Sequence, residues 1–300
     1  MPERQRHPAD EVLAGGAPLV DVHAHFLHAG CGRRDWEARN RSRLEAGARI
    51  GITVHIASIL GSWGHTSPTY FPSPADLTVG NDAMFALEAR HADCVRSYVT
   101  VNPNERAHAA DEIARGVARG AVGIKLAASR RADHPLVDPI AALAARHRLP
   151  ILHHIWQQRT REWPNQEISD GIDLGRLAVR HPTVSFILAH IGGGGDYMHT
   201  FRAVGDISNI LLDFSGSGVD RGMLDAAIRA VGVQRCLWGC DLTMETGLAK
   251  LRALEVIGLT PDELADVRWR NAVGIYPVDA LPGGPRGAPS LRRDAGAPVS

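Results

Sequence analysis

The sequence predicts an α/β fold, a single-domain (β/α)8 TIM barrel. Three observations carry that prediction. Short apolar, β-rich runs recur eight times along 300 residues. Segments with apolar residues at helical spacing separate them. The runs are near-continuous rather than alternating, which suits strands covered on both faces, as in a parallel sheet. Strand then helix, repeated through one chain of this length, is the pattern of such a barrel. An open doubly wound sheet is the alternative. It usually carries a Gly-rich phosphate turn after its first strand, and here that strand runs into HAHF with no GxGxxG.

The predicted strands are LVDVHAH (19–25), ITVHIASI (52–59), VRSYVTV (95–101), AVGIKL (121–126), PILHHI (150–155), VSFILAH (184–190), NILLDFS (209–215) and RCLWGCD (235–241). Between them, residues 75–93, 105–120, 137–149, 170–182 and 219–232 place apolar residues at helical spacing and end on a Gly, Pro or charged stop. The run Gly192 to Gly195 reads as a loop at the barrel mouth. After the last strand, residues 243–258 supply a closing helix, and residues 260–276 a further one with a Thr-Pro start. The expected division is an extension over 1–18, a barrel over 19–280 and a disordered tail over 281–300, rich in Pro, Gly, Ser and Arg with little to bury.

With 33 basic and 33 acidic residues, the chain has no net field to draw in nucleic acid or a membrane surface. A small-molecule substrate is the expected partner. No apolar run approaches the roughly 18 to 20 residues of a membrane span, and the first residues hold charges but no apolar signal core. A cytoplasmic location is therefore the expectation. The four cysteines are too few and scattered for a disulfide framework. Cys236 and Cys240, four apart on a strand, would sit roughly 13 Å from each other and so read as buried thiols.

The 15 histidines matter by position. In LVDVHAHF, His23 and His25 lie two apart on a strand, so they point the same way with Cα atoms roughly 6.6 Å apart. That spacing permits one ion to be shared, and equally permits two incidental histidines. The other strand ends weigh the choice. Lys125 ends the fourth strand, His153 and His154 the fifth, His190 the sixth and Asp241 the eighth. The C-terminal strand ends are where such a barrel builds its site. Imidazoles plus a carboxylate with an open coordination position suit a catalytic metal that activates water.

The set DVHAHF, GIKL, LPILHHI, FILAHIGGG, LWGCD and NAVGIY resembles the amidohydrolase superfamily. It is most similar to the amidohydrolase-related branch that includes aminocarboxymuconate semialdehyde decarboxylase relatives. The resemblance runs from about Leu19 to Tyr276. It implies one divalent metal ion, usually Zn2+ with Mn2+ as the other candidate, held by His23, His25, His154 and Asp241. It makes Asp241 and His190 the catalytic pair beside the activated water. His153, on the opposite face from His154, would pack under a helix. Cys240-Asp241 departs from the Ser-Asp common in relatives, which puts the shape of the following loop in doubt. In some members a carboxylated lysine bridges two metals; here a single metal is expected, with Lys125 as a substrate contact. The resemblance leaves a homodimer open.

Substrate contacts are expected on loops after the strands. Trp63 and His65 follow the second, Arg130 and Arg131 the fourth, and Trp156, Arg159 and Arg161 the fifth. Among these, Trp156, Trp63 and Arg130 are the main candidates, an arginine being suited to clamp a carboxylate. The leading expectation is a hydrolase in which metal-activated water attacks an ester, lactone or amide, Asp241 takes the proton and His190 serves the developing oxyanion. The alternative on the same site is non-oxidative decarboxylation of an unsaturated or aromatic carboxylic acid. His23 at the first ligand position matches hydrolases and muconate-type decarboxylases, whereas several aromatic-acid decarboxylases have Glu there. A hydratase is a third reading, and a non-catalytic binding barrel a fourth that the intact ligand set opposes.

Overall fold

The structure, a computed structural model, describes residues 17–60, 71–155, 167–191, 196–216, 218 and 221–281. Strands and helices alternate along it: β1 (Val20–His25), α1 (Trp36–Ile50), β2 (Val54–Ser58), α2 (Pro74–Arg90), β3 (Val95–Val101), α3 (Arg106–Ala118), β4 (Gly123–Leu126) and α4 (Asp138–His147). The second half continues with β5 (Ile151–His154), α5 (Gly171–Arg180), β6 (Phe186–Ala189), α6 (Tyr197–Val204), β7 (Ile210–Asp213), α7 (Arg221–Val231), β8 (Cys236–Leu237) and α8 (Met244–Val256).

The eight strands pair in parallel in sequence order from β1 to β8. Closure comes from a bridge between Ala24 and Asp241 and from the Val22 N–H donating to the Trp238 carbonyl at 3.1 Å. The barrel predicted from the alternating runs is therefore observed. The eighth strand is shorter than the run 235–241 suggested. Beyond Leu237 the chain turns in towards β1, and Asp241 sits in the left-handed region with φ 59°. The Cys240 N–H donates to the Asp21 carboxylate at 2.9 Å rather than to a neighbouring strand.

Side-chain alternation sorts the strands into two apolar layers. Val20, Val22, Ile56, Leu152, Ile187 and Leu237 fill the inside of the barrel. Ile151, Phe186, Leu188 and Leu212 face outward onto helix residues such as Ile113 and Leu174. Each fully buried aliphatic side chain of this kind contributes roughly 1.5–3 kcal/mol. Helix starts follow local capping chemistry. Ser73 caps α2 ahead of Pro74, and Asp170 with Asp173 forms a capping box on α5.

The segment after α8 does not form one helix. Thr260 and Glu263 make a capping box for α9 (Pro261–Ala265), a π turn spans Asp266–Arg270, and α10 (Asn271–Ile275) follows. This unit closes the end of the barrel where the strands begin. Ala272 and Tyr276 join the inner apolar layer, as do Ala280 and Leu281 beyond them. Asn271 donates to the Val233 and Cys236 carbonyls, each at 2.8 Å. The Tyr276 and Tyr98 hydroxyls meet, and Tyr98 donates to the Val22 carbonyl at 2.8 Å. Packing thus reaches Leu281, and the predicted tail beyond it lies outside the described residues, as does the extension over 1–16. Among the described residues no helix is long and apolar enough to cross a membrane.

Candidate metal centre

The site begins with an irregularity in β1. Val20 and Val22 point inward, which on strict alternation would turn Asp21 and His23 outward. The register against β2 slips by one between Asp21 and Ala24. The inward set changes there from even to odd residues, and His23 and His25 both enter the barrel mouth. Bulges of this kind re-aim side chains beside functional sites. Asp21 anchors the slip from outside. It accepts from Arg43 Nη2 at 3.1 Å, His55 Nδ1 at 3.0 Å and the backbone N–H groups of His23 and Cys240 at 3.3 and 2.9 Å. Burial pushes its carboxyl up, but His55 and Arg43 outweigh that and hold it below the usual range.

The ring protons of the first two histidines follow from their partners. His25 Nδ1 lies 3.3 Å from the Ser58 carbonyl, which only accepts, so Nδ1 carries the hydrogen and Nε2 keeps a lone pair. His23 Nδ1 lies 2.6 Å from Asp213 Oδ2 and is assigned in the same way. The two Nε2 atoms then face each other at 3.1 Å, lone pair to lone pair. Asp241 adds a third donor, with Oδ1 at 3.3 Å from His25 Nε2 and 3.8 Å from His23 Nε2. Such a convergence needs a positive charge among the donors.

The rest of the mouth completes the set. His190 Nε2 is 3.5 Å from Asp241 Oδ2. The His190 ring stacks on His23 at 5.0 Å between centroids and meets His154 edge-on at 5.0 Å. Lys125 Nζ stands 3.0 Å from His23 Nε2. Burial, helped by Lys125, holds His23 neutral, its pKa well below the ordinary value, and burial does the same for His25 and His154. Burial pushes Asp241 up, but His190, His25 and His23 outweigh it and hold the carboxyl well below the usual range. Neutral imidazoles and an ionised carboxylate are the protonation states a metal ligand requires.

His23, His25 and Asp241 place ligand atoms within 4.8 Å of one another. By donor type, protonation and convergence these residues fit a divalent ion. On β5, His154 shares the inward face with Leu152. His153 pairs in register with Leu126 and Leu188 of the outer layer, and its Nδ1 bonds the His154 carbonyl at 2.9 Å. Arg130 is placed elsewhere, its guanidinium on Glu167 Oε1 at 2.7 Å. Trp63, His65, Trp156, Arg159, Arg161 and the four-glycine run lie outside the described residues.

Sequence reasoning missed Asp213 and Ser215 at the end of β7, and Lys250 on α8. Asp213 is buried and pushed up to about 7 by that burial, against the pull of Ser215 and Lys250. Lys250 Nζ donates to the carbonyls of Ser215 and Gly216 at 2.6 and 2.7 Å. The signal was available: NILLDFS ends in a carboxylate and a hydroxyl, the same criterion that picked out the other strand ends.

With this geometry in hand, a family model described as amidohydrolase matches residues 20–278. The chain belongs to that family. A search of curated proteins finds no match to the sequence. Among solved structures, it is similar to 5-carboxyvanillate decarboxylase from Sphingomonas paucimobilis, with TM-score 0.66, 17% identity, 87% of this chain and 99% of that one covered. It is also similar to 2,6-dihydroxybenzoate decarboxylase from Rhizobium, with TM-score 0.66, 16% identity and coverages of 87% and 98%. A third is a dihydroxybenzoic acid decarboxylase from Polaromonas sp. JS666 with bound manganese and the inhibitor 2-nitroresorcinol, with TM-score 0.64, 15% identity and coverages of 86% and 96%. At these identities the likeness extends the family assignment to the whole barrel architecture and carries no substrate with it.

Proposed function

We propose that this amidohydrolase-family barrel is a metal-dependent, non-oxidative decarboxylase of an unsaturated or aromatic carboxylic acid. The observation that carries the reading is Lys125, fully buried with its Nζ 3.0 Å from His23 Nε2. A buried cation beside a divalent-ion site puts two positive charges on one pocket, which favours an anionic substrate. Burial draws the lysine down to about 8, and Asp241 and Asp213 pull it back up. The activities named for the structural neighbours support the same choice. They favour this alternative over the hydrolysis that the sequence placed first.

His23, His25, His154 and Asp241 would hold one divalent ion, zinc or manganese. When bound, such an ion supplies Lewis acidity to the substrate oxygens it contacts. Lys125 binds the substrate carboxylate and holds it against the site. When the C–C bond breaks and CO2 leaves, the carbon keeps the bonding pair and takes up a proton. Asp241 and His190, with Oδ2 and Nε2 3.5 Å apart, are the groups placed to deliver it.

Hydrolysis of an ester, lactone or amide stands as the second reading, favoured by His190, whose Nε2 next to Asp241 suits the deprotonation of a water. The test is a panel of hydroxybenzoates, unsaturated acids, lactones, esters and amides offered to protein loaded with zinc or manganese, with released CO2 measured. CO2 formed in step with substrate loss supports the proposal. Turnover of a lactone, ester or amide without CO2 transfers the site to hydrolysis. Purified protein that binds neither ion, and is unaffected by a chelator, rejects both.

A further inference from the structure

We propose that one carboxylate, Asp213, sets the tautomers of two histidines on different strands, His23 directly and His190 through Ser215, so that both turn a bare Nε2 to the barrel mouth. This goes beyond the proposed reaction. It concerns where ring protons sit, and it holds for decarboxylation and hydrolysis alike.

The hydrogen-bond roles leave little freedom. Asp213 Oδ1 receives the Ser215 N–H at 2.9 Å. Asp213 Oδ2 receives the Ser215 hydroxyl and faces His23 Nδ1 at 2.6 Å. Ser215 has one hydroxyl proton, and Asp213 takes it. The Ser215 oxygen is then an acceptor for its remaining neighbours, and His190 Nδ1 lies 2.9 Å away. That nitrogen must bring the hydrogen, so His190 carries its proton on Nδ1 and a lone pair on Nε2.

Two further features hold the arrangement still. Lys250, buried on α8, donates to the Ser215 and Gly216 carbonyls and fixes the turn that presents the hydroxyl. Gly216, with φ 86°, lets that turn lie flat against the His190 ring. A Cβ there would come within 2.7 Å of the ring's Cγ and 2.8 Å of its Cβ. None of these residues touches the centre itself, so Asp213, Ser215, Lys250 and Gly216 are positioning residues. The chemical consequence falls on His190. A neutral ring with a bare Nε2 takes a proton before it gives one, and the cation then formed keeps its Nδ1–H on Ser215, whose own proton rests on Asp213.

The test reads ring protonation rather than turnover. Long-range 1H–15N NMR of 15N-histidine-labelled protein, in zinc-loaded and zinc-free forms, distinguishes a protonated ring nitrogen from an unprotonated one. His23 and His190 should both be protonated at Nδ1 in each form. His190 protonated at Nε2 in the wild type would overturn the proposal on that spectrum alone. In Ser215→Ala, His190 loses its acceptor, and its proton should move to Nε2, facing Asp241, while His23 keeps its tautomer. Ser215→Thr, which restores a hydroxyl, should return the proton to Nδ1. An unchanged His190 signal in folded Ser215→Ala protein would reject the role of Ser215. Asp213→Asn should move the His23 proton and weaken zinc binding about 10- to 100-fold by chelator competition; unchanged affinity and an unchanged His23 tautomer would reject the role of Asp213. The zinc-free spectra keep this inference separate from the proposed reaction, since they hold whichever substrate, or none, is turned over.

Discussion

Two layers of the same barrel, built by the same strands a few residues apart, have opposite characters. The lower layer is closed by Tyr98, Ile187, Leu211, Leu237 and the plug of Tyr276 and Leu281. The upper one consists of His23, His25, Lys125, His154, Asp213 and Asp241, nearly all buried and titratable. The lower layer fixes the shape by area and packing. The upper layer places lone pairs and charges against one another in a way that only a cation relieves. Stability and chemistry are therefore separated along the barrel axis, and each layer should respond to mutation in its own currency.

The largest expected effect lies in the upper layer. Asp241→Asn and His25→Ala each remove a ligand atom from the converging set. A bound metal is worth several kcal/mol to the reacting state, so turnover should fall by about 10^3-fold or more. Metal analysis of the purified variants should show loss of the ion. Urea melts of the metal-free proteins should show a smaller change than any large-to-small substitution below. A folded Asp241→Asn variant with full turnover and full metal content would end the division between the layers.

The converse is Ile187→Ala, in the lower layer of β6 and fully buried. Deleting that side chain should cost about 2–5 kcal/mol, lowering the melting temperature by roughly 2–4 °C for each kcal/mol. Metal content per folded chain should stay at the wild-type value. Metal loss in proportion to the lost stability would mean that the layers are one cooperative unit and not two.

How much of this was legible in the sequence follows the same division. The eight strands and the inward pattern of the lower layer were readable because a parallel strand buried on both faces leaves a continuous apolar run. His23, His25, His154, His190 and Asp241 were readable because polar residues at the ends of such runs are conspicuous. The slip between Asp21 and Ala24 was not, because a bulge leaves no mark in residue type, and alternation counted from Val20 would have aimed His23 the wrong way. Helix α1 was passed over because WEARNRSRLEAGARI buries Asn40, Arg43 and Gly47 rather than an apolar stripe. Its Arg43 is spent on Asp21. Lys250 was hidden because a lysine on an outer helix reads as solvated until its partners, the carbonyls of Ser215 and Gly216, are known.

A smaller effect, graded by pH, separates the layers again. Burial lowers His153 and His190 to about 4. In the unfolded chain a histidine takes its proton near 6.5. Between these values the unfolded state binds more protons than the folded one, so stability rises with pH across that window and falls as pH drops through it. Metal-free protein should lose stability from about pH 6.5 towards pH 4 in denaturant melts. A lower-layer variant such as Ile187→Ala should run parallel to wild type, whereas His153→Gln should flatten the slope. An unaltered slope in His153→Gln would assign the acid sensitivity to the mouth histidines alone.

The finest distinction concerns Cys240, which directly precedes Asp241 where serine is common in relatives. Its thiol is buried, and burial together with Asp21 beside it holds its pKa well above the ordinary thiol value, so it acts as a small apolar group with a weak donor. Cys240→Ser keeps the volume and gives Asp21 a hydroxyl to accept from. The expected change in stability is under about 1.5 kcal/mol, with zinc affinity by chelator competition unchanged. Gly247→Ala, on α8 against the same residue, should do more. Its Cβ would lie 3.1 Å from the Cys240 Cα and closer still to the sulfur. The first contact is with backbone and no rotamer relieves it, so Cys240 has to shift and carry Asp241 with it. The variant should cost about 1–3 kcal/mol and weaken zinc binding as well. Weakened zinc binding in Cys240→Ser, with none in Gly247→Ala, would mean that the side chain before Asp241, and not the position of its backbone, aims the carboxylate.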